Sequence, residues 1–131
     1  MIGLDTNLLL RALIVEDGPQ THRAQQFIAR TCSPEEPGHV NCVVLAETSW
    51  VLRRVFGYGK ADIARALGAL LEVRELVIEH EASVRAALSV YARSTVEFSD
   101  LLIAELNRSN GCTATATFDR KAAKLDGFTA V

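Results

Sequence analysis

Two hydrophobic periods alternate along the chain. Short apolar or β-branched runs are separated by longer stretches in which apolar residues return every three or four positions. Residues 1–5 (MIGLD) predict a short strand. Residues 7–15 (NLLLRALIV) predict a helix, with Asp5 or Thr6 able to cap it. GPQ at 18–20 opens a second helix through THRAQQFIAR, with Pro19 suited to its first turn. SPEEPG at 33–38 reads as a loop, HVNCVV at 39–44 as a buried strand, and LAETSWVLRRVF from 45 as a helix. Gly57 and Gly59 break the chain before a further helix, KADIARALGALLE. ELVIE at 75–79 is a strand and ASVRAALSVYARS a helix. EFSDLLIAELNRSNG is a helix capped by Ser99 or a neighbour and ended by Gly111. CTATAT at 112–117 is a strand, FDRKAAKLDG a turn with a short helix, and FTAV the last strand.

Strands that alternate with helices imply a parallel sheet covered on both faces. The expectation is an α/β fold, a three-layer α/β/α sandwich forming a single domain over residues 1–131. No linker, repeat or low-complexity segment interrupts it.

Ligands of open parallel sheets bind outside the carboxyl ends of the strands. Asp5 ends the first strand, and Glu47 is expected in the first turn of the helix after the second. Asp119 follows the CTATAT strand by two residues. Asp100 opens the helix before that strand, and a helix antiparallel to its strand begins at the strands' carboxyl edge. Four carboxylates from distant segments are thus directed to one edge. Each has a structural reading by itself. Asp5 serves as a cap, Glu47 and Asp100 answer the helix dipole, and Asp119 is a turn acid. Together they repel one another strongly unless a cation intervenes. Oxygen donors without Cys or His at ligand spacing favour Mg²⁺ or Mn²⁺ over zinc. Such ions activate water and steady phosphoryl oxygens, so the reaction class is phosphodiester hydrolysis. Glu97 shares a face with Asp100 if the helix starts early, whereas Glu105 and the acids of EDGP and SPEEP read as surface residues.

Charge first argues against a nucleic-acid partner, because 14 basic and 16 acidic residues give a net −2. Setting the four site acids aside leaves 12 acids against 14 basic residues, a net +2 for the rest. Arg11, Arg53, Arg54, Arg120, Lys121 and Lys124 all follow site acids closely. Arg120 and Lys121, beside Asp119, are the best candidates for contact with nucleic-acid phosphates. The three cysteines, at 32, 42 and 112, show no CxxC spacing and read as reduced, mostly buried thiols of a cytoplasmic protein. No signal peptide or membrane span is expected. Trp50 and the tyrosines form no stacking pattern, and Trp50 is expected in the core or at an interface.

The stretches LDTNLLLRAL, VVLAETSWVL, and EFSDLLIAELNRSNG followed by TATFDRKAAKLDGF resemble a PIN domain over essentially the whole chain. The length resembles that of VapC-type toxins of bacterial and archaeal toxin–antitoxin pairs. The resemblance implies a five-stranded parallel sheet in the order 3-2-1-4-5. It implies a ribonuclease dependent on Mg²⁺ or Mn²⁺ that leaves a 5′-phosphate and a 3′-hydroxyl on a tRNA or rRNA target. It carries the catalytic and metal-binding quartet onto Asp5, Glu47, Asp100 and Asp119, with Asn7 and Thr117 as supporting hydrogen-bond partners. Glu97 departs from the aspartate many relatives have there. The implied partners are a VapB-type antitoxin and a second copy of the chain in a homodimer. WVLRRVF and the region of Tyr58 offer apolar surface for the antitoxin.

Other readings fit less well. A haloacid dehalogenase-type phosphatase needs a second acid two residues after Asp5, where Asn7 stands. A receiver domain needs a phosphoacceptor aspartate after the middle strand, which ELVIEHE does not supply. A PIN nuclease of RNA processing, outside toxin–antitoxin systems, and a PIN domain that binds RNA or a partner without cutting remain as alternatives.

Overall fold

In the computed structural model, which describes residues 1–14 and 18–131, the strands are short, and side-chain oxygens cap the helices that follow the first two. β1 (Ile2–Gly3) gives way after Leu4 to α1 (Thr6–Leu9), which continues as a π-helical turn over Leu10–Ile14. The helix expected over 7–15 is therefore two kinds of helix in succession, and Val15 lies outside the described residues, as do Glu16 and Asp17 of EDGP. Pro19 stands at the first position of α2 (Pro19–Thr31), where its missing N–H costs no intrahelical bond.

β2 (Gly38–Val40) is shorter than expected. The β-branched run of HVNCVV predicts strand through residue 44, yet α3 already begins at Cys42 and runs to Arg54. Asn41 decides this. Its side chain accepts a 2.9 Å hydrogen bond from the Val44 N–H and caps the helix. A local cap that satisfies an orphan N–H outweighs the modest β-preference of two valines. Glu79, at the end of the next strand, adds a second cap by accepting from the Cys42 N–H at 3.0 Å. α4 (Lys60–Leu71) and β3 (Leu76–Ile78) follow. β1, β2 and β3 form a parallel sheet in that order, with Gly38 opposite both Ile2 and Leu76. Gly38 is required by close packing, since a Cβ there would lie 2.7 Å from Leu4 Cδ1 and 3.0 Å from Cys32 Sγ. These elements make one compact unit, Met1–Glu79. Leu9, Val40, Leu45, Leu52 and Ile63 are fully enclosed in it.

The second unit is His80–Val131. α5 (Glu81–Tyr91) packs on α6 (Phe98–Ser109), and the Tyr91 ring meets Phe98 edge-on with centroids 5.9 Å apart. Ser99 does not cap α6. Glu97 holds that position without a side-chain bond to the helix, and Ser99 lies inside the first turn. The helix ends as the sequence predicts. Gly111, at φ +89°, takes the left-handed conformation that an L side chain resists, and its N–H bonds the Arg108 carbonyl. β4 (Thr115–Thr117) and β5 (Phe128–Ala130) are parallel neighbours, joined through a 3₁₀ turn at Ala122–Lys124. The two sheets have the orders 3-2-1 and 4-5, in keeping with an α/β fold of PIN type. Among the described residues, no helix is long and apolar enough to cross a membrane.

Asn41→Ala removes one cap of α3 and leaves Glu79 as the other. The expected cost is about 1 kcal/mol of stability. Urea unfolding should show a lower midpoint with an unchanged slope.

Candidate functional site

In the first unit the site begins at the end of β1. Asp5 has extended backbone and caps α1, accepting a 2.9 Å hydrogen bond from Leu8 N–H through Oδ1. Its second oxygen, Oδ2, has no hydrogen-bond donor among the described residues, and the side chain is exposed. One carboxylate thus closes the helix and keeps a lone-pair face for a ligand. Thr6, the next residue, is buried, and its hydroxyl donates to Glu47 Oε1. Glu47 stands in the second turn of α3, not the first, because that helix starts three residues earlier than the pattern predicts. The Thr6 bond spans 41 residues of sequence and fixes the Glu47 carboxylate beside the DTN turn. Asn7 is exposed and lines a cleft with Asp5.

In the second unit Asp100 lies in the first turn of α6. The positive end of a helix favours an anion there. Burial works against it, and so do the neighbouring carboxylates of Asp119 and Glu97; together they push the Asp100 carboxyl up from its ordinary value. Asp119 is exposed and anchors its loop: Oδ1 accepts from the N–H groups of Lys121, at 2.8 Å, and Ala122, at 3.1 Å. The Asp119 N–H in turn donates to the Thr117 hydroxyl at 3.0 Å. Arg120 and Lys121 are exposed and have no ion pair among the described residues. Trp50 is 57% exposed on α3, which excludes the core position and leaves the surface one. Glu35 and Glu36 are exposed as expected, whereas Glu105 is half-buried and lies 3.7 Å from Arg108.

Each unit therefore gathers its own acids. Asp5 and Glu47 are linked through Thr6, and Asp100 faces Asp119 and Glu97. Within each unit taken by itself, no three acidic, histidine or cysteine side chains among the described residues close around a common point. Two contributors escape sequence reasoning. Thr6 reads as a helix-cap alternative, and only the fold brings it to Glu47. Glu79 reads as the polar end of a strand, yet it caps α3 through Cys42. An acid directly after an apolar strand was the signal available for Glu79. Its proximity also raises the Cys42 thiol to about 11, behind the larger effect of burial.

The donors suit a hard divalent ion. All four predicted ligands are carboxylates, and Asp100 sits beside the like charges of Asp119 and Glu97. Short parallel strands joined by helices define an α/β protein. The PIN domain model matches residues 2–128, and the chain belongs to the PIN-domain family. No curated protein gives a significant match. PIN domains are generally metal-dependent nucleases that typically use divalent ions such as Mg²⁺, so the family match suggests nuclease activity at the coarse level.

Asp100→Asn removes a charge that burial and two acids disfavour. A raised native pKa stabilises the fold fully below the ordinary carboxylate value of 3.8, and that contribution disappears as pH rises through the native value. The variant should therefore melt at a higher temperature than the wild type at pH 7 without metal. The difference should vanish in acid, as thermal melts at the two pH values will read. Thr6→Val keeps the shape but loses the hydroxyl bond to Glu47. Metal affinity by calorimetry should fall roughly 10- to 100-fold with the fold intact.

Proposed function

We propose that this protein is a divalent-metal-dependent endoribonuclease that acts as the toxin of a toxin–antitoxin pair, cutting tRNA or rRNA. The observation that carries the reading is the family match over residues 2–128, joined to acids at all four expected positions, Asp5, Glu47, Asp100 and Asp119. These four are the proposed ligands. When bound, Mg²⁺ or Mn²⁺ supplies Lewis-acid stabilisation of phosphoryl oxygens and a more acidic attacking water.

The residues prepare for that chemistry in specific ways. Asp5 offers Oδ2 while Oδ1 holds α1 in place. Thr6 limits the rotamers of Glu47, so less freedom is lost when a ligand is engaged. Asp119 is held by two backbone donors, which fixes its direction and leaves one oxygen free of them. Asp100 is destabilised as an anion by its surroundings, so a cation there relieves repulsion as well as gaining ligands. Arg120 and Lys121 stand next to Asp119 with unpaired charge to offer the RNA backbone.

A toxin needs partners, and α3 offers surface for them. Val43, Trp50 and Val55 are 75%, 57% and 65% exposed. Val43 and Trp50 stand seven residues apart on one face of α3, and contiguous exposed apolar surface marks contact sites. We assign the face of Val43 and Trp50 to the antitoxin or to the second copy in a homodimer.

The test is cleavage of a mixed tRNA and rRNA pool by the purified chain. Discrete fragments should appear with Mg²⁺ or Mn²⁺, disappear with EDTA, and fall by more than about 100-fold with Asp5→Asn or Asp119→Asn, beyond the effect of a merely supporting residue. Cleavage that survives EDTA and both substitutions would remove the metal mechanism. Calorimetric binding of Mn²⁺ without any cleavage would point instead to a binding role.

A further inference from the structure

A cleft of about 600 Å³ opens beside Asp5, with Arg11 on one wall and Gln20, Arg23 and Phe27 of α2 on the other. A second groove of about 250 Å³ adjoins it and is lined by α2 alone, including Arg23, Phe27 and Arg30. Arg23 and Phe27 belong to both, so the two form one continuous depression along the helix. Arg23, Phe27 and Arg30 stand at i, i+4 and i+7, one face of α2.

The chemistry of this face is one-sided. α2 contains two arginines and a histidine but no acid in its thirteen residues. Arg23 and Arg30 are exposed and have no carboxylate partner among the described residues. Arginines on surface helices are commonly flanked by acids at i±3 or i±4, and none is present here. Across the cleft, Arg11 has a buried Nε without a hydrogen-bond partner, and its guanidinium carbon lies 6.0 Å from the Phe56 ring centroid. Phe27 is 39% exposed between the two arginines of α2. Cations that track a groove, with an aromatic ring between them, are the features that hold single-stranded nucleic acid. A protein partner would want apolar anchors, and those lie on α3 instead, at Val43, Trp50 and Val55.

We infer that the outer face of α2 is the track on which the RNA strand lies as it leaves Asp5, with Arg23 and Arg30 each gripping a phosphate and Phe27 stacking a base. The inference rests on the nuclease reading and deepens it, because it names the surface that holds the strand and the groups that grip it. Arginine forks suit phosphate oxygens, and a ring stacks on any base, so the track gives affinity and direction without fixing sequence.

The experiment measures binding of a short fluorescent single-stranded RNA of mixed sequence in EDTA, over a range of salt, alongside metal-dependent cleavage of the tRNA and rRNA pool. The double variant R23Q/R30Q should bind at least tenfold more weakly. The slope of log affinity against log salt should fall by roughly 0.7 for each phosphate contact removed. Phe27→Ala should weaken binding about 5- to 100-fold, and Phe27→Trp should restore it. Calorimetric Mn²⁺ affinity and melting temperature should match the wild type in all three variants, which separates loss of the track from loss of the fold or metal site. Wild-type cleavage together with unchanged binding and salt slope in R23Q/R30Q would overturn the track alone. A wild-type chain that neither binds nor cleaves RNA would overturn the track and the nuclease reading together. An unchanged salt slope with loss of a dimer by light scattering would assign the face to a protein contact and also overturn it.

Discussion

The unsatisfied N–H groups at helix starts are the constraint on which the rest of this chain depends. Every helix begins with donors that have no intrahelical acceptor, and a buried strand end offers few waters to satisfy them. At α1, α3 and the turn before Ala122 this chain answers with side-chain oxygens, whereas α2, α4, α5 and α6 start without a side-chain cap. Asp5 closes α1, Asn41 and Glu79 close α3, and Asp119 closes the turn before Ala122. Before α1 and after β4 this need is met by an acid, Asp5 or Asp119, that caps through a single oxygen. Asp100 and Glu47 cap no helix: Asp100 lies inside the first turn of α6, and Glu47 lies too far into α3 to meet the free donors and is held by Thr6 from a different segment.

Capping and coordination are compatible because a carboxylate has two oxygens. In Asp5 one oxygen is bound to Leu8 N–H and the other has no donor among the described residues. In Asp119 two backbone donors converge on a single oxygen. Asp100 is different, since it carries a penalty from burial and from Asp119 and Glu97 that the helix dipole does not cancel. An acid in such surroundings lowers the stability of the second unit at neutral pH.

The fold was largely legible in the sequence, because it rests on local signals. Alternation of strand-length apolar runs with amphipathic segments identified every element in order, and Pro19 and Gly111 marked a helix start and a helix end. The misreadings lay where two local signals competed. At HVNCVV the valines suggested strand, but Asn41 supplied a cap, and the cap won. That shift carried Glu47 from the first turn into the second. At EFSD, Ser99 looked like a cap but Glu97 took the boundary. The placements of Asp5, Asp100 and Asp119 were legible because they lie next to strand ends and helix starts. Thr6 was not, because its role depends on a residue 41 positions away. The basic face of α2 was visible as letters but gained meaning only when Arg23 and Phe27 were seen to share two grooves.

The cysteines have a consequence of a different kind. Cys32 and Cys42 are buried and Cys112 is exposed. With its pKa raised to about 11, Cys42 is a thiolate in only about one molecule in ten thousand at neutral pH. A thiol-specific reagent will accordingly count one sulfur in the folded chain and three in the unfolded one. The protein carries its own clock for opening. Cys112 is a ready attachment point for a single dye, and the delayed appearance of the other two sulfurs records how often the first unit breathes.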